Sequence, residues 1–166
     1  SVVPNTYKVN AMIRGQSGVS SYVASVTVNG EDQLGKDLDM TTGPVGPIHV
    51  KVSTETGTIA GKVERSEESG AEGRTMAYAV AADERFRSID VPRMGQLTQD
   101  GSFTLQGCRP GEYLVFVFDQ FQSGALEDPE LLKKLEPKGV KAKAVAGQST
   151  SVQVKVTEWP EEAMLQ

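Results

Sequence analysis

The chain is poor in the side chains that most chemistry needs. Its 166 residues include one cysteine, one histidine and one tryptophan. A lone Cys108 excludes an internal disulfide, and a lone His49 excludes a conventional histidine-based metal cluster. No apolar run nears the roughly 20 residues that a membrane-spanning helix requires, so membrane insertion is not expected. Basic runs are absent too, and the net charge is −5, which argues against nucleic acid or an anionic membrane as partner. From Ser1 onward nothing resembles a signal peptide, so the chain reads as a mature product or a fragment. The length suits one domain, or one domain and part of another. A compact chain this size buries about 70% of its unfolded surface and needs no disulfide or metal staple.

What is present is alternation. Tyr7, Val9, Ala11 and Ile13 fall on one side of an extended segment, with Lys8, Asn10 and Arg14 on the other or at its end. Tyr22, Ala24, Val26 and Val28 repeat the pattern and stop at Asn29-Gly30, a strong turn dipeptide. Ile48, Val50 and Val52 alternate with His49, Lys51 and Ser53. Ile59, Gly61 and Val63 follow, then Met76, Tyr78 and Val80, and late in the chain Val152, Val154 and Val156. Period-two alternation sets one face of each strand on a core and the other in water. Leu114 to Phe118 is apolar on both faces, as a central, doubly covered strand would be. The 17 glycines and 8 prolines sit mostly between these runs. The expected class is all-β, a tandem of sandwiches. One segment departs from it. Glu127 to Glu136 has early acids, late lysines, Pro129 near its start and an apolar face of Leu131, Leu132 and Leu135. This predicts a short helical insertion packed over one end or edge of a sandwich.

An internal repeat divides the chain. Pro4-Asn-Thr-Tyr7-Lys-Val9 matches Pro110-Gly-Glu-Tyr113-Leu-Val115, and Ile48-His-Val-Lys-Val-Ser53 matches Val152-Gln-Val-Lys-Val-Thr157. The separations between matched anchors are nearly equal, 45 positions from Tyr7 to Val52 and 43 from Tyr113 to Val156. Residues 1–53 are therefore expected to be the C-terminal half of one sandwich domain and 57–157 a complete one. Thr54–Thr56 would be the junction and 158–166 a tail.

The second unit carries a set of motifs. Gly57-Thr-Ile-Ala-Gly61-Lys-Val63, then Asp100-Gly101-Ser-Phe103-Thr-Leu105 and Pro110-Gly111-Glu-Tyr113, resembles the signature of carboxypeptidase regulatory-like domains. The resemblance implies a seven-stranded, transthyretin-like (prealbumin-like) or Ig-like sandwich. Such modules occur in tandem in secreted or surface proteins of bacteria such as acidobacteria. The motif also has physical reasons of its own. Gly101 can take the positive φ of a tight turn that leaves Phe103 and Leu105 inward, and Pro110-Gly111 suits a type II turn before the next strand. Tyr113 can bury its ring at the strand end.

Residues with chemical potential each have a plain structural reading. His49 lies on the polar side of a strand with no nucleophile motif nearby. The hydroxyisourate-hydrolysing enzymes of the related fold need several histidines and a C-terminal Tyr-Arg-Gly-Ser, which this chain lacks. The iron-dependent intradiol dioxygenases need two histidines. Cys108 reads as a half-buried free thiol, with intermolecular pairing as the alternative. Glu31, Asp32, Asp37 and Asp39, and then Glu67, Glu68 and Glu72, read as solvated loop charge, since neither a glycosidase pair nor a calcium loop is spelled out. Lys62 has no Asn in the closing strand for an isopeptide crosslink, and Asn29 is better placed as a turn residue. Trp159 is expected to anchor the tail or contact a neighbouring chain, in preference to stacking on a sugar, because one ring makes no binding platform.

No catalytic, cofactor-binding or metal-ligating residue is assigned, and no enzyme is expected. The expected function is structural or adhesive, outside the cytoplasm: extracellular, at the cell surface or in the periplasm. An incomplete sandwich would expose apolar faces and open edges. Self-association, or neighbouring domains of the same polypeptide, would complete it, and strand complementation repeated head to tail would make a filament. The alternative is a carbohydrate-binding or accessory module of a larger secreted protein.

Overall fold

In a computed structural model of the protein, the structure describes residues 3–9, 11, 20–64, 75–119 and 125–159. The fold is all-β, with the expected short helical insertion and one further helix of four residues. Five strands come first: β1 (Thr6–Tyr7), β2 (Tyr22–Val28), β3 (Glu31–Asp32), β4 (Leu38–Asp39) and β5 (Ile48–Ser53). β1 pairs with β4, and β2 lies between β3 and β5, all antiparallel. Asn29 and Gly30 both have positive φ, 52° and 83°, which is what the two-residue hairpin between β2 and β3 demands.

Two expectations for this part need correction. The row Tyr22, Ala24, Val26, Val28 does not all point inward; Val23, Val26 and Val28 are the buried residues. A bulge between Val23 and Ser25 adds a residue to β2 and reverses the phase of alternation. The strand expected through Val9 and Ala11 is only the two-residue β1, while Asn10, Ile13 and Arg14 lie outside the described residues.

Seven further strands follow: β6 (Gly57–Glu64), β7 (Met76–Ala81), β8 (Arg93–Gln96), β9 (Ser102–Cys108), β10 (Gly111–Phe118), β11 (Val140–Ala144) and β12 (Ser149–Lys155). Helix α1 (Glu84–Arg87) sits between β7 and β8, and α2 (Pro129–Leu135) between β10 and β11. The sheets run β11-β10-β7-β8 and β12-β6-β9, antiparallel except for the parallel β6–β12 pair. Their facing sides share one core: Ile59, Phe103, Leu105 and Val154 from the smaller sheet meet Ala79, Val115 and Val117 from the larger. Gly61 makes room within it, because a Cβ there would lie 2.2 Å from the Phe103 ring. Gly101 turns with φ 80° as expected, whereas Gly111 opens to φ 150°, away from the value near 80° of an ideal type II turn.

The helical insertion covers a face, not an end or edge. Asp128 caps α2 by accepting from the Glu130 and Leu131 N–H groups, with Pro129 in the first turn. Leu132 and Leu135, with Leu126 from the 3-10 turn before it, pack on Tyr78, Val80, Leu114, Phe116 and Phe118. This second core lies on the outer side of the four-stranded sheet. β10 is doubly covered as its composition implied, and β7 is too: Ala77, Ala79 and Ala81 face one core while Tyr78 and Val80 face the other.

Among the described residues no ladder joins strands of 1–53 to strands of 57–157. The matched segments of the sequence repeat also pair differently. β12 is parallel to β6, whereas β5 is antiparallel to β2.

Candidate functional site

Two features outside the cores stand out, a clamp between the two sets of strands and an open strand edge. The clamp is Arg109, which directly follows β9 in the turn into β10 and is 5% exposed. Its Nε and Nη2 donate to the two carboxylate oxygens of Asp90, at 2.6 and 2.9 Å. Its Nη1 donates to the Val23 carbonyl at 2.7 Å. The guanidinium lies over two rings, 4.4 Å from the centre of Phe86 and 4.7 Å from that of Tyr22. A buried cation is tolerable only when paired and hydrogen-bonded, and both conditions hold here. Tyr22 and Val23 belong to β2, so one side chain of the second set of strands grips the first.

The open edge is β5. β2 lies on one side of it, and no described strand lies on the other. Ile48 is 41% exposed and Val50 38%, unusual values for apolar residues of a strand whose cross-strand partners Val28 and Val26 are buried.

A groove of about 730 Å³ opens between α1 and α2. Val80, Leu126 and Leu132 floor it, and Glu84, Glu130 and Lys133 edge it. Arg87 spans it, donating to the Ala81 and Ala82 carbonyls and pairing with Glu136 at 2.8 Å. That guanidinium is committed to structural contacts.

The sequence-predicted residues are dispersed. His49 is exposed on β5 beside Lys51. Cys108 is a free thiol, but fully buried rather than half-buried, its Sγ 3.6 Å from the Leu105 carbonyl. Burial pushes that thiol up to about 11, far from the range of a nucleophile. Asp32 accepts from the Leu34 N–H, and Asp39 accepts from the Thr41 N–H and hydroxyl, which hold its carboxyl below the ordinary range. Asp37 faces Lys8 at 3.8 Å, and Glu31 is exposed. Glu67, Glu68 and Glu72 lie outside the described residues. Among the described residues no three His, Cys, Asp or Glu side chains gather as metal ligands, and no helix is long and apolar enough to cross a membrane. Lys62 is exposed, opposite Gln153 and Ser102. Trp159 stacks on Phe118 at 4.0 Å, 16° from parallel, so its ring anchors the start of the tail. Arg109 had no assigned role in the sequence. Its signal was an arginine wedged between a core cysteine and a turn proline.

No family model matches the chain, and no curated protein matches it in sequence. Two solved structures are distantly similar. The TIE protein of Bacillus anthracis is 15% identical with a TM-score of 0.36, over 66% of this chain and 19% of that one. GBS52, the minor pilin of the Gram-positive pathogen Streptococcus agalactiae, is 11% identical with a TM-score of 0.39, over 88% of this chain and 64% of that one. This chain spans less than two thirds of the length of either. Likenesses this distant carry no inference about function.

Proposed function

We propose that this chain is a non-enzymatic structural or adhesive module that works outside the cytoplasm and associates with other copies through strand pairing. The single observation behind it is β5, a six-residue edge with exposed Ile48 and Val50 and no described strand beside it. An open edge with apolar side chains is a template for another strand. On this reading residues 1–53 are the C-terminal half of a sandwich and 57–157 a complete one of the carboxypeptidase regulatory-like type. Arg109 then fixes the half unit on the complete one, so that its edge is presented in a set direction. Contacts repeated head to tail would build a filament. The extracellular, cell-surface or periplasmic setting comes from the resemblance of the 100–113 motif. The sugar-binding alternative draws no support from the aromatics, since none of the nine described ones is exposed.

The test is light scattering with negative-stain imaging of the purified chain across a concentration series. Association beyond the 17.8 kDa monomer is expected. A monomer at every concentration overturns the proposal, and a sugar screen would follow.

A further inference from the structure

The edge of β5 away from β2, which no described strand covers, has a definite hydrogen-bond register set by the hairpin beside it. Residues flanking a two-residue turn exchange both backbone bonds, so Val28 aims its N–H and C=O at β3. Val26 does the same, and the Gln33 N–H donates to its carbonyl at 2.8 Å. Alternation then turns Thr27 toward β5, where His49 faces back to meet it, as Lys51 does toward Ser25. The backbone groups of Ile48, Val50 and Val52 therefore point outward, to the side with no described strand. Their side chains share one face with Val26 and Val28.

We propose that this edge pairs with β5 of a second copy, antiparallel, about a twofold axis at Val50. The inference rests on the reading of β5 as the association edge and names its partner. The strand is self-complementary in this one register. Val50 opposes Val50 and Ile48 opposes Val52, all with outward backbone groups, so the ladder closes and the two apolar rows join. His49 opposes Lys51. Shifting the axis to Lys51 sets two ammonium groups face to face. Shifting it to His49 pairs only residues 48–50 within the strand and leaves Val52 without a partner in it, so the ladder is shorter. The other described edges are poorer templates: β1, β3 and β4 have two residues each, while β8 runs beside β9 and β11 beside β12 at the corners of the sandwich. A twofold contact closes on itself, so the dimer is the unit and a filament needs a second contact.

Sedimentation velocity on the whole chain, with Val50→Pro and Val50→Lys beside it, reads the contact. Val50→Pro removes an N–H that the β2 ladder does not use, so only the outer edge is lost. Val50→Lys places like charges across the axis and serves if the proline variant misfolds. Both are expected to weaken the dimer at least tenfold. Register is read by oxidising His49→Cys and Lys51→Cys variants, since residue 49 of one copy should neighbour residue 51 of the other; buried Cys108 stays out of the exchange. A disulfide dimer is expected only when the two variants are mixed. Disulfides within either variant alone, or a dimer indifferent to both Val50 changes, overturn the twofold pairing. Open-ended assemblies abolished by Val50→Lys overturn it too while sustaining the proposed function. A monomer at every concentration overturns both.

Discussion

Arg109 donates from Nη1 to the main-chain carbonyl of Val23 at 2.7 Å, and this bond links residues 86 positions apart. It joins the residue after β9 to the start of β2, across sets of strands that share no ladder among the described residues. Asp90 neutralises the guanidinium in a two-point contact, and Phe86 and Tyr22 close over its faces. The planar fork of arginine suits all of these contacts at once.

Arg109→Ala should therefore cost about 3 kcal/mol, because it leaves a largely buried Asp90 carboxylate and the Val23 carbonyl without their donor. Arg109→Lys keeps the charge but loses the fork and the stacking, and should fall between the two. Chemical denaturation measures the cost. Limited proteolysis at residues 54–56, between β5 and β6, measures the release of one set of strands from the other, and it should speed up in the same order. An alanine variant as stable and as protease-resistant as the parent would mean that Arg109 does not clamp the two sets of strands.

The elements that could be read from sequence are those whose causes are local. The Asn29-Gly30 hairpin, the Gly101 turn and the Asp128-capped helix each follow from a few adjacent residues, and each formed where expected. The bulge in β2 could not be read, because Tyr22, Ala24, Val26 and Val28 alternate without a break. The side chains on β7 are apolar at both phases, but only the packing of α2 decides that Tyr78 and Val80 are covered. The clamp was hidden for the strongest reason. Its partners Tyr22, Val23, Phe86 and Asp90 are scattered over the sequence, and no periodicity links them to Arg109.

Gly61 and Phe103 should behave as a coupled pair. They face each other across β6 and β9, and the ring occupies the space a Cβ at Gly61 would need. Gly61→Ala is expected to destabilise by about 1–3 kcal/mol through overpacking. In Gly61→Ala/Phe103→Leu the smaller side chain makes room, so the double variant should be more stable than the sum of the two single costs predicts. Thermal or urea unfolding of all four proteins gives the coupling. Strict additivity would show that ring and methyl do not compete.

Asp100 should tie stability to acid pH. The Thr98 and Ser102 hydroxyls, with the Ser102 N–H, donate to its carboxylate and hold it at about 2. A carboxyl lowered on folding stabilises the folded state above the unfolded pKa near 4, and that contribution disappears as pH falls toward 2. Unfolding free energies of the parent and Asp100→Asn, measured from pH 7 to pH 2, should therefore differ most at neutral pH and converge below about 3. A constant difference over that range would assign the effect to shape rather than to charge.

Cys108 should do the reverse at alkaline pH. Its thiol is fully buried beside Leu105, and burial raises it from 9.0 to about 11. Below pH 9 both folded and unfolded chains hold the proton, and the thiol costs nothing. Between about 9 and 11 the unfolded chain ionises first, so stability drains away as pH rises through that window. Cys108→Ala removes the titration but also leaves a small void, so its absolute stability is uninformative and its slope decides. The parent should lose stability more steeply than Cys108→Ala between pH 9 and 11, with parallel curves from 6 to 8. A thiol reagent gives a second readout at pH 8, where native protein should label only as fast as it opens. Prompt labelling of native protein would place the sulfur within reach of solvent, and with it would fall the buried end of β9 on which Arg109 is mounted.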